Sequence, residues 1–129
     1  MRFFLFLLFL LLSCGLTMAI DTVPLPEHPR PDFERAQWLN LNGTWSFEFD
    51  KDDVGAVQKW FAGTKEFSKK ILVPFPWGSK LSGVDDEADI AWYSRDIRIP
   101  GEWKGKRIFL VVGACDWHTS AWLVKLRPT

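Results

Sequence analysis

From Thr44 to Phe49 polar and apolar side chains alternate, Trp45, Phe47 and Phe49 falling at every second place and Thr44, Ser46 and Glu48 between them. A period of two places the three aromatics on one face of a strand, launched by the turn residues Asn42-Gly43. Asp50-Lys51-Asp52-Asp53 then reads as a turn with N-cap options. Val54, Val57, Trp60 and Phe61 follow at a spacing that predicts one short amphipathic helix, although Gly55 and Gly63 weaken it. Ile71-Leu72-Val73 predicts a brief strand, stopped by Pro74-Phe75-Pro76-Trp77-Gly78, where two prolines remove ladder donors. A polar loop over 79–89 carries Asp85-Asp86-Glu87 and Asp89.

Residues 90–99 predict the next strand, ending at Pro100, with Tyr93, Ile97 and Ile99 on one face by parity. Arg95 falls on that same face. It either pairs with a buried acid or is turned outward by a bulge. After a turn at 101–106, Ile108, Phe109, Leu110, Val111 and Val112 form an unbroken apolar run, which predicts a central strand covered on both faces. Ala121, Trp122, Leu123 and Val124 predict a further strand over 119–126. Short strands punctuated by glycine and proline, with at most one helix, predict an all-β sandwich. No internal repeat is visible.

The first residues stand apart from this pattern. Met1-Arg2 followed by the apolar run 3–12 has the charge and length of a helical secretory signal peptide over 1–19, whereas a membrane span needs roughly 20 apolar residues. Thr17-Met18-Ala19 suits a cut before Ile20. Leu11-Leu12-Ser13-Cys14 loosely resembles a lipobox, which would leave a lipid anchor on Cys14. Either route exports the chain, to a periplasmic or extracellular location, with no membrane span. Residues 20–32 form a proline-rich arm through Pro24, Pro26, Pro29 and Pro31, with Phe33, Trp38 and Leu39 the first side chains able to anchor it. The predicted sandwich then occupies 33–124.

Composition narrows the function further. In 129 residues, 47% hydrophobic and 25% charged, sixteen basic side chains balance sixteen acidic ones, so the electrostatic footprint that a nucleic acid partner requires is missing. With Cys14 removed or acylated, Cys115 is left single, and its small apolar neighbours Gly113 and Ala114 predict a buried, inert thiol.

Several segments together resemble the N-terminal sugar-binding domain of glycoside hydrolase family 2, the β-galactosidase and β-glucuronidase-like enzymes. Leu39-Asn40-Leu41-Asn42-Gly43 with Trp45 and Phe47 looks like its opening strand, and Val73-Pro74-Phe75-Pro76-Trp77 like its proline-tryptophan loop. Trp92-Tyr93, Ile99-Pro100 and Trp103-Lys104-Gly105-Lys106-Arg107 resemble the next two strands and their turn. Phe109-Leu110, Gly113-Ala114, Asp116-Trp117 and Ala121-Trp122 complete the series, in unchanged order over about 31–124. The resemblance implies a jelly-roll, galactose-binding-like β-sandwich that precedes an immunoglobulin-like domain and a TIM barrel in full-length retaining exo-β-glycosidases. Ser94 stands where the family has arginine. Beyond Val124 the family continues with Asn-Gly and the remaining strands, whereas residues 125–129 depart from it, so the sandwich is expected to be C-terminally incomplete, with an aberrant tail from truncation or frameshift. An incomplete sandwich exposes a pairing edge, which predicts poor solubility.

Retaining hydrolysis needs two carboxyl groups about 5–5.5 Å apart, which the family carries on its barrel. The acids at 85–89 read instead as a solvated loop, and no catalytic residue is assigned. Asp116 and His118 share a strand face by parity, but no third ligand accompanies them, so no metal or cofactor is expected. Sugars stack their C–H faces on indoles, and of eight tryptophans Trp45 and Trp122 read as packing residues. Trp77, Asp89, Trp92 and Trp117 are the candidate contacts to a β-linked carbohydrate. Two functions fit: a sugar-binding domain of an exported β-glycosidase, inactive by itself, or a stand-alone secreted carbohydrate-binding or adhesive sandwich.

Overall fold

A computed structural model describes residues 23–124. The expected signal peptide, the Ile20 and Cys14 alternatives and the tail at 125–129 lie outside the described residues. Within them the chain is β-rich and mostly non-helical, built on one three-stranded antiparallel sheet: β1 (Gly43–Phe49), β2 (Lys69–Val73) and β3 (Ala91–Ser94). β1 is central, and the order is β2-β1-β3. No helix among the described residues is long and apolar enough to cross a membrane.

The alternation in β1 is realised as two differently furnished faces. On the first, Phe47 and Phe49 are buried with Ile71 of β2 and Val84 from the following loop, and Trp45, Val73, Trp77 and Ala91 pack against them. Phe47 lies opposite Tyr93 in the ladder, and their rings meet edge to face at 5.0 Å. On the second face Glu48 lies opposite Trp92, and Trp60 comes within 6.0 Å of that indole. Aromatic side chains therefore stand on both sides of one small sheet.

Turn chemistry fixes where the strands begin and end. Gly43 has φ +115°, a backbone that L side chains rarely adopt, and this lets the chain turn from Asn42 into β1. Pro74 ends β2 at Val73, as its missing donor requires. The loop that follows folds back so that Trp77 reaches Phe47 and Phe49, each at 6.1 Å between ring centroids.

Several expectations are corrected. The predicted helix is a set of turns with a single short 3₁₀ helix, Trp60–Ala62. The Asp50 carboxylate accepts the Val54 and Gly55 N–H groups, and Lys59 adopts a left-handed φ of +57° that interrupts helical winding. The strand expected over 90–99 stops at Ser94, because Arg95 leaves the ladder. Its Nη1 donates to the carbonyls of Leu41 and Asn42, at 2.7 and 2.8 Å, while the guanidinium lies over Trp45. Neither a buried acid nor a bulge answers its charge; two backbone oxygens do.

The strands expected over 107–112 and 119–126 are absent from the described residues, and every residue from 104 to 124 is exposed. A run apolar on both faces requires a neighbour on each side to become a strand, and no described segment pairs with this one. Cys115 is accordingly exposed, not buried. Trp122 is not a strand packing residue either; it is 44% exposed and stacked on other rings.

The arm is tied down by polar groups. Asn42 Nδ2 donates to Pro24 O and Asn40 Nδ2 to Leu25 O, both at 3.0 Å. Trp38 meets the His28 ring edge to face at 4.7 Å. Phe33 and Leu39 are exposed, with the guanidinium of Arg30 over the Phe33 ring at 5.4 Å.

Candidate functional site

The second face of the sheet gathers the groups with the most chemistry. Asp50 follows β1 at the parity of Glu48 and is 3% exposed. One carboxylate oxygen accepts the Val54 N–H at 2.9 Å; the other accepts the Gly55 N–H at 2.8 Å and the Trp92 Nε1–H at 3.0 Å. Gly55 is required here. A methyl at that position would overlap both the Trp92 ring nitrogen and the Asp50 carboxylate. Burial pushes the Asp50 pKa up, but the three hydrogen bonds and the nearby Lys65 charge more than reverse this and hold it below the ordinary 3.8. Asp50 is thus a fixed anion that orients an indole.

Around Trp92 an aromatic group assembles from three parts of the chain. Trp60 is buried beneath it, with Lys65 Nζ over the Trp60 ring at 4.1 Å. Trp122 stacks on Trp92 at 5.0 Å and on Phe61 at 5.2 Å, the latter pair almost parallel at 5°. Glu48 completes this face. Its carboxylate accepts the Ser68 N–H and hydroxyl, both at 2.8 Å. The Ser68 N–H is the main cause that holds the Glu48 pKa below the usual carboxylate range.

Next to this group lies a shallow depression of about 450 Å³, lined by Asp50, Lys51, Asp53, Glu87, Asp89 and Ile90. It joins two of the expected sugar contacts through a shared neighbour: Asp89 lines it, and Trp92 is bonded to its Asp50 wall. The other two expectations lie elsewhere. Trp77 is half-buried against the first-face core and meets Tyr93 at 6.3 Å, so most of its ring is committed to packing. Trp117 is 91% exposed, its ring set edge-on to the neighbouring His118 ring with centroids 6.1 Å apart. Asp89 thus lines the depression and Trp92 adjoins it through Asp50, while Trp77 and Trp117 make their contacts elsewhere.

Asp116 and His118 make no dyad: the His118 ring nitrogen faces Ser120 Oγ at 3.4 Å. No metal-binding cluster of His, Cys, Asp or Glu occurs among the described residues. Asp86, in the polar loop, pairs with Lys69 Nζ at 2.6 Å and is held below the usual carboxylate range by that bond. It stands on the sheet surface, beside a second, smaller depression of about 330 Å³.

Sequence reasoning overlooked Asp50 and Phe61 as members of this site. Asp50 reads as one acid of a turn, and only its parity with Glu48 hints that it continues the strand's second face. Phe61 reads as part of an amphipathic helix. No family model matches the chain.

Proposed function

We propose that this chain carries the N-terminal carbohydrate-binding domain of an exported family 2 β-glycosidase, with a jelly-roll, galactose-binding-like β-sandwich of which the three-stranded sheet is a part. The observation that carries the reading is the ordered series of segments from Leu39 to Trp122, whose aromatic members Trp45, Phe47, Trp77, Trp92 and Tyr93 all meet at this sheet. An order held over that length is far more specific than any one motif in it.

The binding chemistry follows from the second face. An aromatic ring carries negative charge on its face, which attracts the weakly positive C–H groups on the flat side of a pyranose. Asp53, Glu87 and Asp89 border the adjoining depression, where their oxygens accept hydrogen bonds from sugar hydroxyls. Trp92 supplies the stacking surface, held in orientation by Asp50. Cleavage of the glycosidic bond is assigned to the barrel glutamates of the family that the chain resembles, which act as acid and nucleophile across about 5–5.5 Å. The part played by these residues is to bind the sugar.

Chromatography of the secreted chain on immobilised β-linked polysaccharide, alongside nitrophenyl β-glycoside hydrolysis, tests this. Retention that free sugar reverses, without turnover, is the expected result. Failure to be retained on any β-galactan, β-mannan or β-glucan matrix overturns the binding role, and monosaccharide release by a homogeneous preparation overturns the assignment of cleavage to the barrel.

A further inference from the structure

We infer that Phe61 and Trp92 form a stacking seat for a pyranose ring, and that Trp122 occupies this seat as an internal plug. The inference rests on the carbohydrate-binding reading above and adds where the sugar sits and what competes with it.

Trp122 belongs to a segment that is exposed along its whole length from 104 to 124. Its neighbours Leu123 and Val124 are both exposed. The indole nevertheless lies on two aromatic rings at once, at 5.2 Å from Phe61 and 5.0 Å from Trp92, with interplanar angles of 5° and 24°. The two rings that it stacks on are placed by other parts of the fold. Trp92 is fixed by β3 and by the Asp50 hydrogen bond at 3.0 Å, while Phe61 sits in the short Trp60–Ala62 helix, whose Trp60 is buried. The seat therefore exists independently of its occupant.

A flat ring with polarised C–H groups is the natural replacement for an indole on such a surface, since both are drawn to the same ring faces. Polar partners adjoin the seat, as a sugar requires and a purely apolar guest does not: the depression bounded by Asp53, Glu87 and Asp89 is walled by Asp50, the carboxylate that accepts the Trp92 indole N–H. Trp122, by contrast, brings only Leu123 and Val124 beside it. As part of the same chain it competes at an effective concentration of the millimolar order. That is enough to weaken a monosaccharide site without closing it.

Calorimetric titration of the whole chain and of Trp122→Ala with methyl β-galactoside, methyl β-glucuronide and methyl β-mannoside reads the competition. Trp122→Ala is expected to bind at least one of these about 3- to 10-fold more tightly, the range set by the worth of one aromatic stacking contact. Phe61→Ala in the same background is expected to remove the gain. A readout on the unaltered chain guards against misfolded variants: because Trp60 also couples to Trp92 at 6.0 Å, the Trp122 part of the circular-dichroism exciton couplet is taken as the difference between the unaltered chain and Trp122→Ala, and this difference is expected to vanish at saturating sugar. Equal affinity of the two chains, or a Trp122-dependent difference that survives saturation, overturns the plug while leaving the carbohydrate reading standing. Absence of binding by every chain to all three sugars and to the polysaccharide matrices sinks both.

Discussion

Phe47 and Phe109 are both phenylalanines in runs that look equally strand-like, yet Phe47 is 0% exposed and Phe109 66%. The difference lies in what surrounds them. β1 has a hydrogen-bonded strand on either side, a core beneath one face and Trp60 and Trp92 over the other. Residues 108–112 have none of these. An apolar run creates a demand for cover in proportion to its area, and it supplies none of the cover itself. The alternating run of β1, apolar on one face, needed one layer. The continuous run at 108–112 needs two layers and two neighbours, so its exposure is the more costly and its tendency to associate with other chains the greater.

The comparison breaks most readily at the two phenylalanines. Phe47→Ala empties a fully buried position and is expected to lower stability by about 3–5 kcal/mol. Phe109→Ala removes an exposed ring and is expected to fall within about 0.5 kcal/mol of the parent chain. Urea midpoints at constant slope measure both. Similar losses for the two would mean that residues 108–112 are packed in solution and that the contrast is false.

Asp50 offers the next largest effect. Asp50→Ala leaves the Val54, Gly55 and Trp92 donors without their acceptor, which is expected to cost at least about 1–3 kcal/mol. The pH dependence has a definite sign. Because the carboxyl is held below 3.8 in the fold, its contribution is present above that value and is lost as pH falls through the lower, folded one. The parent chain should therefore lose stability on acidification below about pH 4, and Asp50→Ala should lose less. Parallel acid limbs for the two chains would remove Asp50 from the account of how the second face is held.

Much of this first region was legible beforehand, and for a local reason. The alternation of Trp45, Phe47 and Phe49, the stop at Pro74 and the small aromatic core all follow from near neighbours in sequence, where steric and hydrogen-bonding rules act within a few residues. The failures have a common cause too. Arg95 leaves its strand for the carbonyls of Leu41 and Asn42, more than fifty residues earlier. Asp50 finds Trp92 across 42 positions, and Phe61 finds Trp122 across still more. Parity assigned Arg95 to the correct face and could not name its partner. Of the candidate site, Asp89 and Trp92 were singled out through the family resemblance, while Asp50 and Phe61 have contacts that periodicity does not encode.

Amide hydrogen exchange sharpens the contrast at lower cost in free energy. The β1 amides that bond to β2 and β3 are expected to exchange orders of magnitude more slowly than those at 108–112, which make no backbone hydrogen bond in a strand. Val111→Lys, which places a charge in the exposed run, is expected to raise solubility without altering exchange in β1. Protection at 108–112 comparable with that of β1 would show that this run finds a partner in solution, and gel filtration would then identify whether the partner is a second chain.

The smallest effect tests whether the two regions touch at all. Tyr93 is the single tyrosine of the chain, and its pKa is pushed up to about 12, first by burial against the first-face core and then by the charge of Cys115. Ultraviolet titration of the phenolate therefore reads one group, with an expected midpoint near pH 12. The linkage sign is opposite to that of Asp50: the fold holds the phenol proton, so the contribution is complete below the ordinary pKa of 10 and disappears as pH rises through about 12. Cys115→Ser removes only the second cause, so the midpoint should move slightly downward and stay above 10. A midpoint that does not move places Cys115 away from Tyr93, leaving the Trp122 stack as the main tie between the exposed segment and the sheet; a midpoint at the ordinary value would mean that Tyr93 itself is not packed on Phe47, and the core drawn around β1 would have to be redrawn.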